Sequence, residues 1–353
     1  MMVRFMRWSR RKAAALILLF CTLVSFAAAP ASGSEAAASL VHKKKYVMGT
    51  VFEIVAYDAS PKHASDAINR AFEKIVQLDE LMSNYKSDSA LSRLNRSAHF
   101  HAENVPSDLY RVVEESLRYS KISGGKFDIS VGPLVDLWKA EIRGERAPSP
   151  AEEEKVRRCV GYEKIKLFAP DRIEFLSPCL QIDLGAIGKG YAVDRAVEIL
   201  RVHGIREALI DAGGSTIYAM GSPPGQTGWR VHLRDPSKKI DPQVILNEDS
   251  VSTSEQTPPS LLGNDSAGHI IDPDTGVPLK TTFAISVIAK SATASDALST
   301  TLLLVGPEKG KTLIKSVTDA AAIWIPPEGH TETASSGPLI LLGHGLSGAA
   351  SLW

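Results

Sequence analysis

The sequence predicts an α+β fold in which helices pack on a largely antiparallel sheet. Some segments place apolar residues at every second position, which is typical of strands, and others at every third or fourth position, which is typical of helices. The two kinds of segment do not alternate strictly along the chain, and this argues against a purely parallel sheet. The sequence contains no internal repeat.

Helices are predicted where apolar periodicity coincides with a start signal. The first contains Ala64 to Leu78, the second follows Pro106-Ser107, and the third follows Ser149-Pro150 with three glutamates in its first turn. Two more are predicted at about 187–202 and at Ala294–Val305.

Strands are predicted from alternation and from short apolar runs bounded by turn residues. The predicted strands are Tyr46–Tyr57, Ile165–Phe168, Ile173–Leu176, Leu180–Asp183, Ala208–Asp211, Trp229–Leu233 and Ala284–Ala289. Asp-Pro, Thr-Gly and Gly-Gly pairs lie between several of these segments and are ordinary turn chemistry.

The overall charge argues against a nucleic-acid partner. The chain of 353 residues has 40 basic and 40 acidic residues and only 7% aromatic residues. No net field therefore attracts a polyanion, and no basic stripe interleaves with aromatic side chains. We expect no nucleic acid among the partners.

The first 33 residues are predicted to be a secretory signal. A basic stretch that includes Arg10 and Arg11 precedes an apolar run at 13–29, and small residues follow. The alternative is an uncleaved membrane anchor, although the run is shorter than the ~20 residues that a spanning helix needs. We expect residues 34–45 to be a polar linker. The protein would then be exported, to the periplasm or the outer face of the cytoplasmic membrane.

Two cysteines remain after the signal. Cys21 would leave with it, whereas Cys159 and Cys179 would stay in the mature chain. In an oxidising compartment these two residues can form a disulfide, but two separate buried thiols fit the sequence equally well.

Two segments carry candidate chemistry for a phosphate and a cation. In 182–194, an apolar segment ends at Asp183 and a glycine-rich turn leads into a helix near Lys189, which suits phosphate but also suits a structural turn. Asp296 and Thr300 lie four residues apart and therefore on one helical face, where their oxygens could bind a hard cation. The alternative is that Asp296 caps the helix.

Three further segments are candidates for ligand contact. His269 opens the run His-Ile-Ile-Asp-Pro-Asp-Thr-Gly, and a lone histidine is more often structural than catalytic. The small residues of 124–134 would let a ligand approach the backbone closely. Tyr85 could stack on an aromatic ring or could simply pack against the protein.

Together, and in this order, these segments resemble the ApbE family of FAD:protein FMN transferases. The resemblance extends from about Tyr46 to Leu304. It is carried by Met48-Gly49-Thr50 on the first strand, Met82-Ser83-Asn84-Tyr85, Gly124-Gly125-Lys126-Phe127-Asp128, Ile182–Tyr191, Asp211-Ala212-Gly213-Gly214, Thr253-Ser254, His269–Gly276 and Asp296–Thr300.

The resemblance implies a T-fold-related domain over 46–353, either as one body or as two sublobes with an FAD cleft between them. It implies FAD contacts at Met48, Tyr85, Lys126, Phe127, Asp128, Asp183, Lys189 and Ile270. It implies Mg²⁺ bound by the backbone carbonyl of Ala186 and the side chains of Asp296 and Thr300, with Ser299 nearby. These are all hard oxygen ligands, as Mg²⁺ prefers.

The implied reaction is Mg²⁺-dependent transfer of FMN from FAD to a Thr or Ser hydroxyl of another protein, with release of AMP. His269 is the candidate general base, because an unperturbed histidine titrates near neutral pH. The alternatives are an FAD pyrophosphatase, in which water replaces the hydroxyl, and a non-catalytic FAD carrier. The family's acceptor motif, roughly Asp-x-Ser/Thr-Gly/Ala/Ser-Ala-Thr, is absent here, so the chain is expected to be the donor enzyme. Its partner is expected to be a membrane redox subunit.

The sequence departs from the family pattern at three places. Glu255 follows Ser254 where the family usually has glycine, and Gln256-Thr257-Pro258-Pro259 replaces an aromatic-rich segment. Ser299 stands where many relatives carry aspartate. The first two departures put the identity of the acceptor in question, and the third bears on the strength of the metal site.

Overall fold

A computed structural model describes residues 38–143, 145–256, 269–337 and 341–342. The described residues belong to one compact unit that begins at Ala38. The predicted signal at 1–33 and Thr257-Pro258-Pro259 lie outside the described residues. Within the described part of the chain, no helix is both long enough and apolar enough to cross a bilayer.

The described strands are short, apart from the first two. In chain order they are β1 Ser39–Val47, β2 Thr50–Asp58, β3 Glu103–Asn104, β4 Ile165–Phe168, β5 Arg172–Phe175, β6 Glu207–Ala212, β7 Thr216–Met220, β8 Trp229–His232, β9 Gln243–Leu246, β10 Asp249–Glu255, β11 Ala284–Ala289, β12 Ala321–Ile325, β13 Glu332–Ser335 and β14 Leu341–Leu342.

The described helices include every helix that the sequence predicts. In chain order they are α1 Pro61–Met82, α2 Ala90–Ser97, α3 Ser107–Ile122, α4 Gly132–Ile142, α5 Pro150–Arg157, α6 Gly188–Val202 and α7 Ala292–Lys315. The start signal predicted at Ser149 acts as expected, since Ser149 forms a capping box with Glu152 at α5; the Ser60 hydroxyl caps α1 in addition. Gly306 interrupts α7 with a non-helical φ of 75° just before Pro307, so the predicted end near Val305 marks a real break.

The predicted α+β class with a largely antiparallel sheet is confirmed. Eight of the described strands form one sheet in the order β1-β2-β6-β7-β10-β11-β12-β13, and every pair in it is antiparallel. Two three-stranded sheets, β14-β9-β8 and β3-β5-β4, complete the strands.

Alternation along the strands gives the large sheet two apolar faces. On β12, Ala322 and Trp324 point into the main core with α1, α6 and α7, while Ile323 and Ile325 point into a second cluster with β8 and β9. Because neighbouring side chains point to opposite faces, a strand such as β12 is buried on both sides. The helices therefore cover one face of the sheet and the small β8–β9 sheet covers the other.

Two predictions at the start of the domain are wrong. Residues 39–45 of the expected linker form most of β1, which pairs along its full length with β2, and the single strand predicted at Tyr46–Tyr57 is divided between them. Met48 and Gly49 form the turn, with φ values of 52° and 74°, rather than lying on a strand. The polar β1 is the exposed edge of the sheet, where lysines are favourable and alternation is weak.

The strand predicted at Leu180–Asp183 is also wrong. These residues make only an isolated bridge, between Gln181 and Val131, while the Asp183 N–H donates to the Ile129 carbonyl. The Ile182 N–H and carbonyl bond instead to the side chain of Asn95, at 2.9 and 3.0 Å. The segment is extended, but the backbone of Ile182 is satisfied by the side chain of Asn95 and not by hydrogen bonds to a neighbouring strand.

The open question about the two cysteines is answered by a disulfide. Cys159 and Cys179 are bonded, with 5.2 Å between their Cα atoms. The bond ties the end of α5 to the segment that leads into Asp183, and it closes a loop that contains the β4–β5 hairpin.

Candidate functional site

One cavity of about 430 Å³ collects residues from eight separate segments of the chain. Its wall contains most of the sequence-predicted site residues: Tyr85, Lys126, Phe127, Asp128, Asp183, Ala186, Lys189, His269, Ile270, Asp296 and Thr300. A neighbouring cavity of about 230 Å³ is lined by Met48 and shares Tyr85, Asp183 and Lys189 with the first. Only Ser299 among the predicted residues lines neither cavity.

The N-termini of α6 and α7 meet at the cavity wall because Gly190 lets them approach. A Cβ at Gly190 would lie 2.7 Å from the Cβ of Asp296 and would also collide with the Ala292 carbonyl. The Gly190 N–H donates to Asp296 Oδ2 at 2.8 Å. Asp194, one turn further along α6, accepts hydrogen bonds from the N–H groups of Ala292 and Thr293, both at 2.8 Å. The Ser291 hydroxyl is the N-cap of α7, so Asp296 is not the helix cap.

Asp296 is a carboxylate held in the protein interior. Its side chain is 6% exposed, and burial raises its pKa, whereas the charge of Lys189 and the Gly190 N–H lower it. Such a group gains most from a cation placed beside it. The structure therefore provides a buried anionic oxygen at the edge of the cavity.

Lys189 is the second charged group on this wall. It is half-buried, and within the described residues its ammonium has no hydrogen-bond or ion-pair partner. The N–H groups of Gly188 and Gly190 already donate to Leu184 and Asp296, so Lys189, rather than these helix-end N–H groups, supplies positive charge to the cavity. An unpaired, half-buried lysine facing a cavity is suited to a phosphate.

The oxygen groups around Asp296 fit Mg²⁺ only as a partial set. Thr300 and Ala186 line the cavity with Asp296, whereas Ser299 is fully buried and bonds to Ser254 and to the Asp296 carbonyl at 2.8 and 2.9 Å. Among residues 38–143, 145–256, 269–337 and 341–342, no group of three or more His, Cys, Asp or Glu side chains could hold a metal. One carboxylate, one hydroxyl and one carbonyl are nevertheless hard donors, and Mg²⁺ commonly completes its shell with water and phosphate oxygens.

A network of asparagines positions the loop between the two cavities. Asn84 Nδ2 donates to Asp183 Oδ2 at 2.9 Å, and Asn95 holds the adjacent Ile182 backbone. The remaining Asp183 oxygen accepts from the Gly185 N–H at 2.7 Å, which shapes the turn before α6. Asp183 is thus fixed on both oxygens.

Tyr85 stands at the point where the two cavities join. Its side chain is 91% exposed, the most exposed of the large hydrophobic residues in the described chain. The nearest charged group over its ring is Lys139 Nζ, 5.8 Å from the centroid. An aromatic face without a packing partner beside a cavity is available to stack on a flat ligand.

Lys126 and Asp128 already have protein partners. Lys126 Nζ bonds to Asp272 at 2.9 and 3.0 Å and pairs with Asp274 at 2.8 Å. The two oxygens of Asp128 accept from the N–H groups of Ser130 and Tyr162, and burial raises the pKa of this carboxyl. Both residues line the cavity, but their present contacts organise the protein around it.

His269 lies at the solvent-accessible side of the cavity. The residue is exposed, yet the surrounding protein and then the charge of Lys189 lower the pKa of its imidazole below the ordinary 6.5, while Glu255 acts to raise it. The imidazole is therefore neutral at pH 7 and can accept a proton.

Several residues around the site were not recognised in the sequence. Arg234 lines the cavity and bonds to Glu255 at 2.6 Å, while Asn84, Asn95 and Asp194 hold the loops described above. Asn84 lies in the segment Met82–Tyr85 and Asp194 in the segment 182–194, so both could have been found from the sequence as neighbours of candidate site residues. Arg234 and Asn95 occur in ordinary polar surroundings, where only the fold reveals their position.

A cleft with an unpaired lysine, a buried carboxylate and an exposed aromatic ring defines a site for a ligand that carries both phosphate and a flat ring system. Residues 48–324 match the model of the ApbE family. FAD:protein FMN transferase of Treponema pallidum is 31% identical over 320 residues, which cover 84% of this chain and 87% of that protein. FAD:protein FMN transferase of Escherichia coli K12 is 30% identical over 278 residues, covering 76% and 79%.

Solved structures agree with this result. The flavin transferase ApbE from Vibrio cholerae aligns with a TM-score of 0.74 and 27% identity, covering 85% of this chain and 98% of that one. The apo flavinyl transferase ApbE from Pseudomonas stutzeri aligns with the same score and identity, covering 84% and 95%. The chain belongs to the ApbE family.

Proposed function

We propose that this protein transfers FMN from FAD to a Thr or Ser hydroxyl of another protein and releases AMP. The observation that carries the proposal is that Lys189, which has no partner among the described residues, and buried Asp296 lie on the same cavity wall. A pyrophosphate needs positive charge on its oxygens, and a divalent cation beside Asp296 would supply more of it. The relatives named FAD:protein FMN transferase support the same reaction.

The residues that line the cavity account for the steps of this transfer. The acceptor hydroxyl oxygen attacks the phosphorus of the FMN half, the bond from that phosphorus to the bridging oxygen breaks, and this oxygen leaves with AMP. His269 takes the hydroxyl proton, since its lowered pKa keeps it neutral. Lys189 stabilises the negative charge that develops on the phosphoryl oxygens.

The metal proposal concerns Asp296, Thr300 and the Ala186 carbonyl, which share the cavity wall. Mg²⁺ held by these groups would act as a Lewis acid on the phosphoryl oxygens. Ser299 would support Ser254 and the first turns of α7 rather than bind the ion, because its hydroxyl is already bonded to both.

Co-expression with an acceptor protein tests the reaction. An acceptor that carries the family motif should gain the mass of one FMN, and the same acceptor with its target hydroxyl residue replaced by alanine should not. We expect His269→Ala to lower the transfer rate by roughly 10²–10⁴-fold, as loss of a general base does. No flavin on the acceptor, with FAD and Mg²⁺ present, would contradict the proposal.

Asp296→Asn tests the metal site. Asparagine keeps the shape and an acceptor for the Gly190 N–H, but it removes the charge, so transfer should fall at least as far as in His269→Ala. Asp249→Asn is the matched control, because Asp249 pairs with Lys290 outside the cavity and should keep the wild-type rate. A wild-type rate in Asp296→Asn would show that the metal assignment is wrong.

FAD hydrolysis is the second candidate, because His269 is exposed to solvent and water could take the place of the acceptor hydroxyl. The two reactions are separated by incubating the protein with FAD and Mg²⁺ without acceptor. We expect slow FMN release in that mixture and rapid labelling once acceptor is added. Rapid FMN release without acceptor would instead favour the hydrolase.

We also propose export, with a membrane redox subunit as the acceptor. The Cys159–Cys179 disulfide supports an oxidising compartment, where such bonds persist. Fractionation of cells that express the full chain should recover it outside the cytoplasm, and deletion of residues 1–33 should retain it inside.

A further inference from the structure

Gln256 is a buried polar residue that the reaction proposed above does not use. It directly follows the last residue of β10, and its side chain is only 5% exposed. Its Oε1 accepts from the Ile270 N–H at 3.3 Å, and its Nε2 donates to the Leu279 carbonyl at 3.0 Å and to the Ile270 carbonyl at 3.4 Å. Both ends of the amide are therefore satisfied by the backbone on either side of one loop.

That loop, residues 269–279, is named here the His269 loop. Its base is closed by a hydrogen bond of 2.8 Å from the Leu279 N–H to the Ile270 carbonyl and by the bridge between Ile271 and Pro278. Gln256 contacts both sides of this base, and His269 is the next residue outward from Ile270. The amide thus fixes the backbone from which the imidazole projects.

The far end of the His269 loop is held separately. Lys126 binds Asp272 and Asp274 there, and Trp138 Nε1 donates to the Gly276 carbonyl at 2.8 Å. The tip is therefore anchored to the 124–138 region, while Gln256 is the side chain that joins the base of the loop to β10.

β10 in turn joins the loop to the other side of the cavity. Ser254, two residues before Gln256, bonds to Ser299 at 2.8 Å and to Thr300 at 3.3 Å on α7. The chain from Thr300 through Ser254 to Gln256 and Ile270 thus connects the oxygen groups near Asp296 with His269. Each step is a hydrogen bond or a short piece of strand, which fixes the distance between the two sides.

We propose that Gln256 is a positioning residue, which holds His269 at the correct distance from the phosphate site through the backbone of Ile270. This inference rests on the proposed role of His269 as the general base. A displacement of about 1 Å in a catalytic group can cost roughly 10²-fold in rate, so the loss of this contact should be visible in kcat.

Gln256→Met tests the inference, because methionine has a similar length and no hydrogen-bonding amide. We expect kcat for FMN transfer at saturating FAD to fall by roughly 10- to 100-fold. Gln256→Glu keeps the acceptor for the Ile270 N–H but places a second oxygen against the Leu279 and Ile270 carbonyls, so we expect kcat to fall in this variant too. The two variants are assayed well below their unfolding temperatures, so that a loss of folded protein does not contribute.

Gln243→Met is the matched control. Gln243 is equally buried, at 6% exposed, but it lies on β9 and bonds to Arg230 and Asp241 on the other side of the large sheet. Its replacement should lower stability to a similar degree and leave kcat unchanged.

A double-mutant cycle with His269→Ala separates positioning from general damage. If Gln256 acts through His269, Gln256→Met should cost nothing further once the imidazole is gone. A wild-type kcat in Gln256→Met, or an undiminished further loss in the double variant, would overturn the inference. A wild-type rate in His269→Ala alone would instead overturn the general-base proposal.

Discussion

Burial is the main influence on the pKa of His269, and two charged neighbours shift this pKa in opposite directions. The surrounding protein and Lys189 lower the pKa of the imidazole below 6.5, and Glu255 raises it. In the proposed mechanism the neutral imidazole is the base, so a lower pKa would extend activity to lower pH. Glu255 lines the same cavity as His269, so a carboxylate lies beside the proposed base.

Substitution of these neighbours should move the acid limb of the pH profile in opposite directions. Lys189→Met removes the positive charge, so the His269 pKa should rise and the fall in kcat/KM on acidification should begin at higher pH. Glu255→Gln removes the negative charge and should move the limb to lower pH. The limb is measured from the pH dependence of FMN transfer by each variant. Shifts in the same direction would show that His269 is not the group that titrates.

Tyr85 permits a separation of binding from stability. Since its side chain is 91% exposed, Tyr85→Ala should change the free energy of unfolding by no more than about 0.5 kcal/mol. If the ring stacks on FAD, its loss should weaken binding by about 0.5–1.5 kcal/mol, up to roughly tenfold in Kd. Titration of FAD fluorescence measures the change, and Tyr85→Phe should restore the affinity. Equal affinities for FAD in Tyr85→Ala and wild type would remove this residue from the site.

At the scale of the elements, five of the seven described helices could be predicted from the sequence, whereas α2, α4 and the edge strand β1 could not. α1 combines apolar residues on one face with Ser60 and Pro61 at its start, so periodicity and capping agree. β1 has neither: Lys43 to Lys45 interrupt its alternation, and Met48-Gly49 is not a typical hairpin pair. The segment Leu180–Asp183 has the apolar pattern of a strand. The sequence does not show that its backbone bonds to the side chain of the distant Asn95 and not to a neighbouring strand.

The site shows the same division. The segments that line the cavity could be predicted from their motifs. A glycine-rich turn with a lysine suits a phosphate, and two oxygen side chains on one helical face suit a cation. The partners of those residues could not be predicted: Lys126 bonds to Asp272, and Asn84 to Asp183, across about a hundred or more residues of chain. Such contacts depend on how distant segments pack, which no local pattern records.

The junction of α6 and α7 should be intolerant of any side chain at Gly190. A Cβ there would lie 2.7 Å from the Asp296 Cβ, so Gly190→Ala must push the two helices apart. Overpacking of this kind costs about 1–3 kcal/mol, and it would displace Asp296 from the cavity wall. We expect both a lower unfolding temperature and a loss of FMN transfer.

Gly188→Ala is the control for the junction. Its Cβ would make ordinary contacts of 3.8 Å with Leu184 and Met48, and alanine favours a helix over glycine. Thermal unfolding should therefore show no loss of stability in Gly188→Ala. Equal stability of the Gly190 and Gly188 variants would mean that the helices can separate without cost.

At the scale of the whole molecule, the large sheet separates a purely structural face from the face that carries the cavity. Its one face is covered by β8 and β9, whose apolar contacts include Trp229 and Val244, and no part of the catalytic proposal depends on them. Its other face carries α6 and α7, and the cavity opens where these helices begin, near the end of β10. A rigid sheet thus fixes the relative position of groups that come from both helices and from the His269 loop.

The disulfide lies outside the cavity and ties the end of α5 to the segment that leads into Asp183, so its removal should affect the site indirectly. Cys159 and Cys179 are 20 residues apart, and a loop of that length contributes about 3 kcal/mol to stability by restricting the unfolded chain. The Cys159→Ser/Cys179→Ser variant should therefore unfold at lower temperature. Cys179 lies four residues before Asp183, so the variant should also bind FAD more weakly. A reducing agent should lower wild-type stability to the level of the variant and leave the variant unchanged; a reductant effect on the variant would show that another group is responsible.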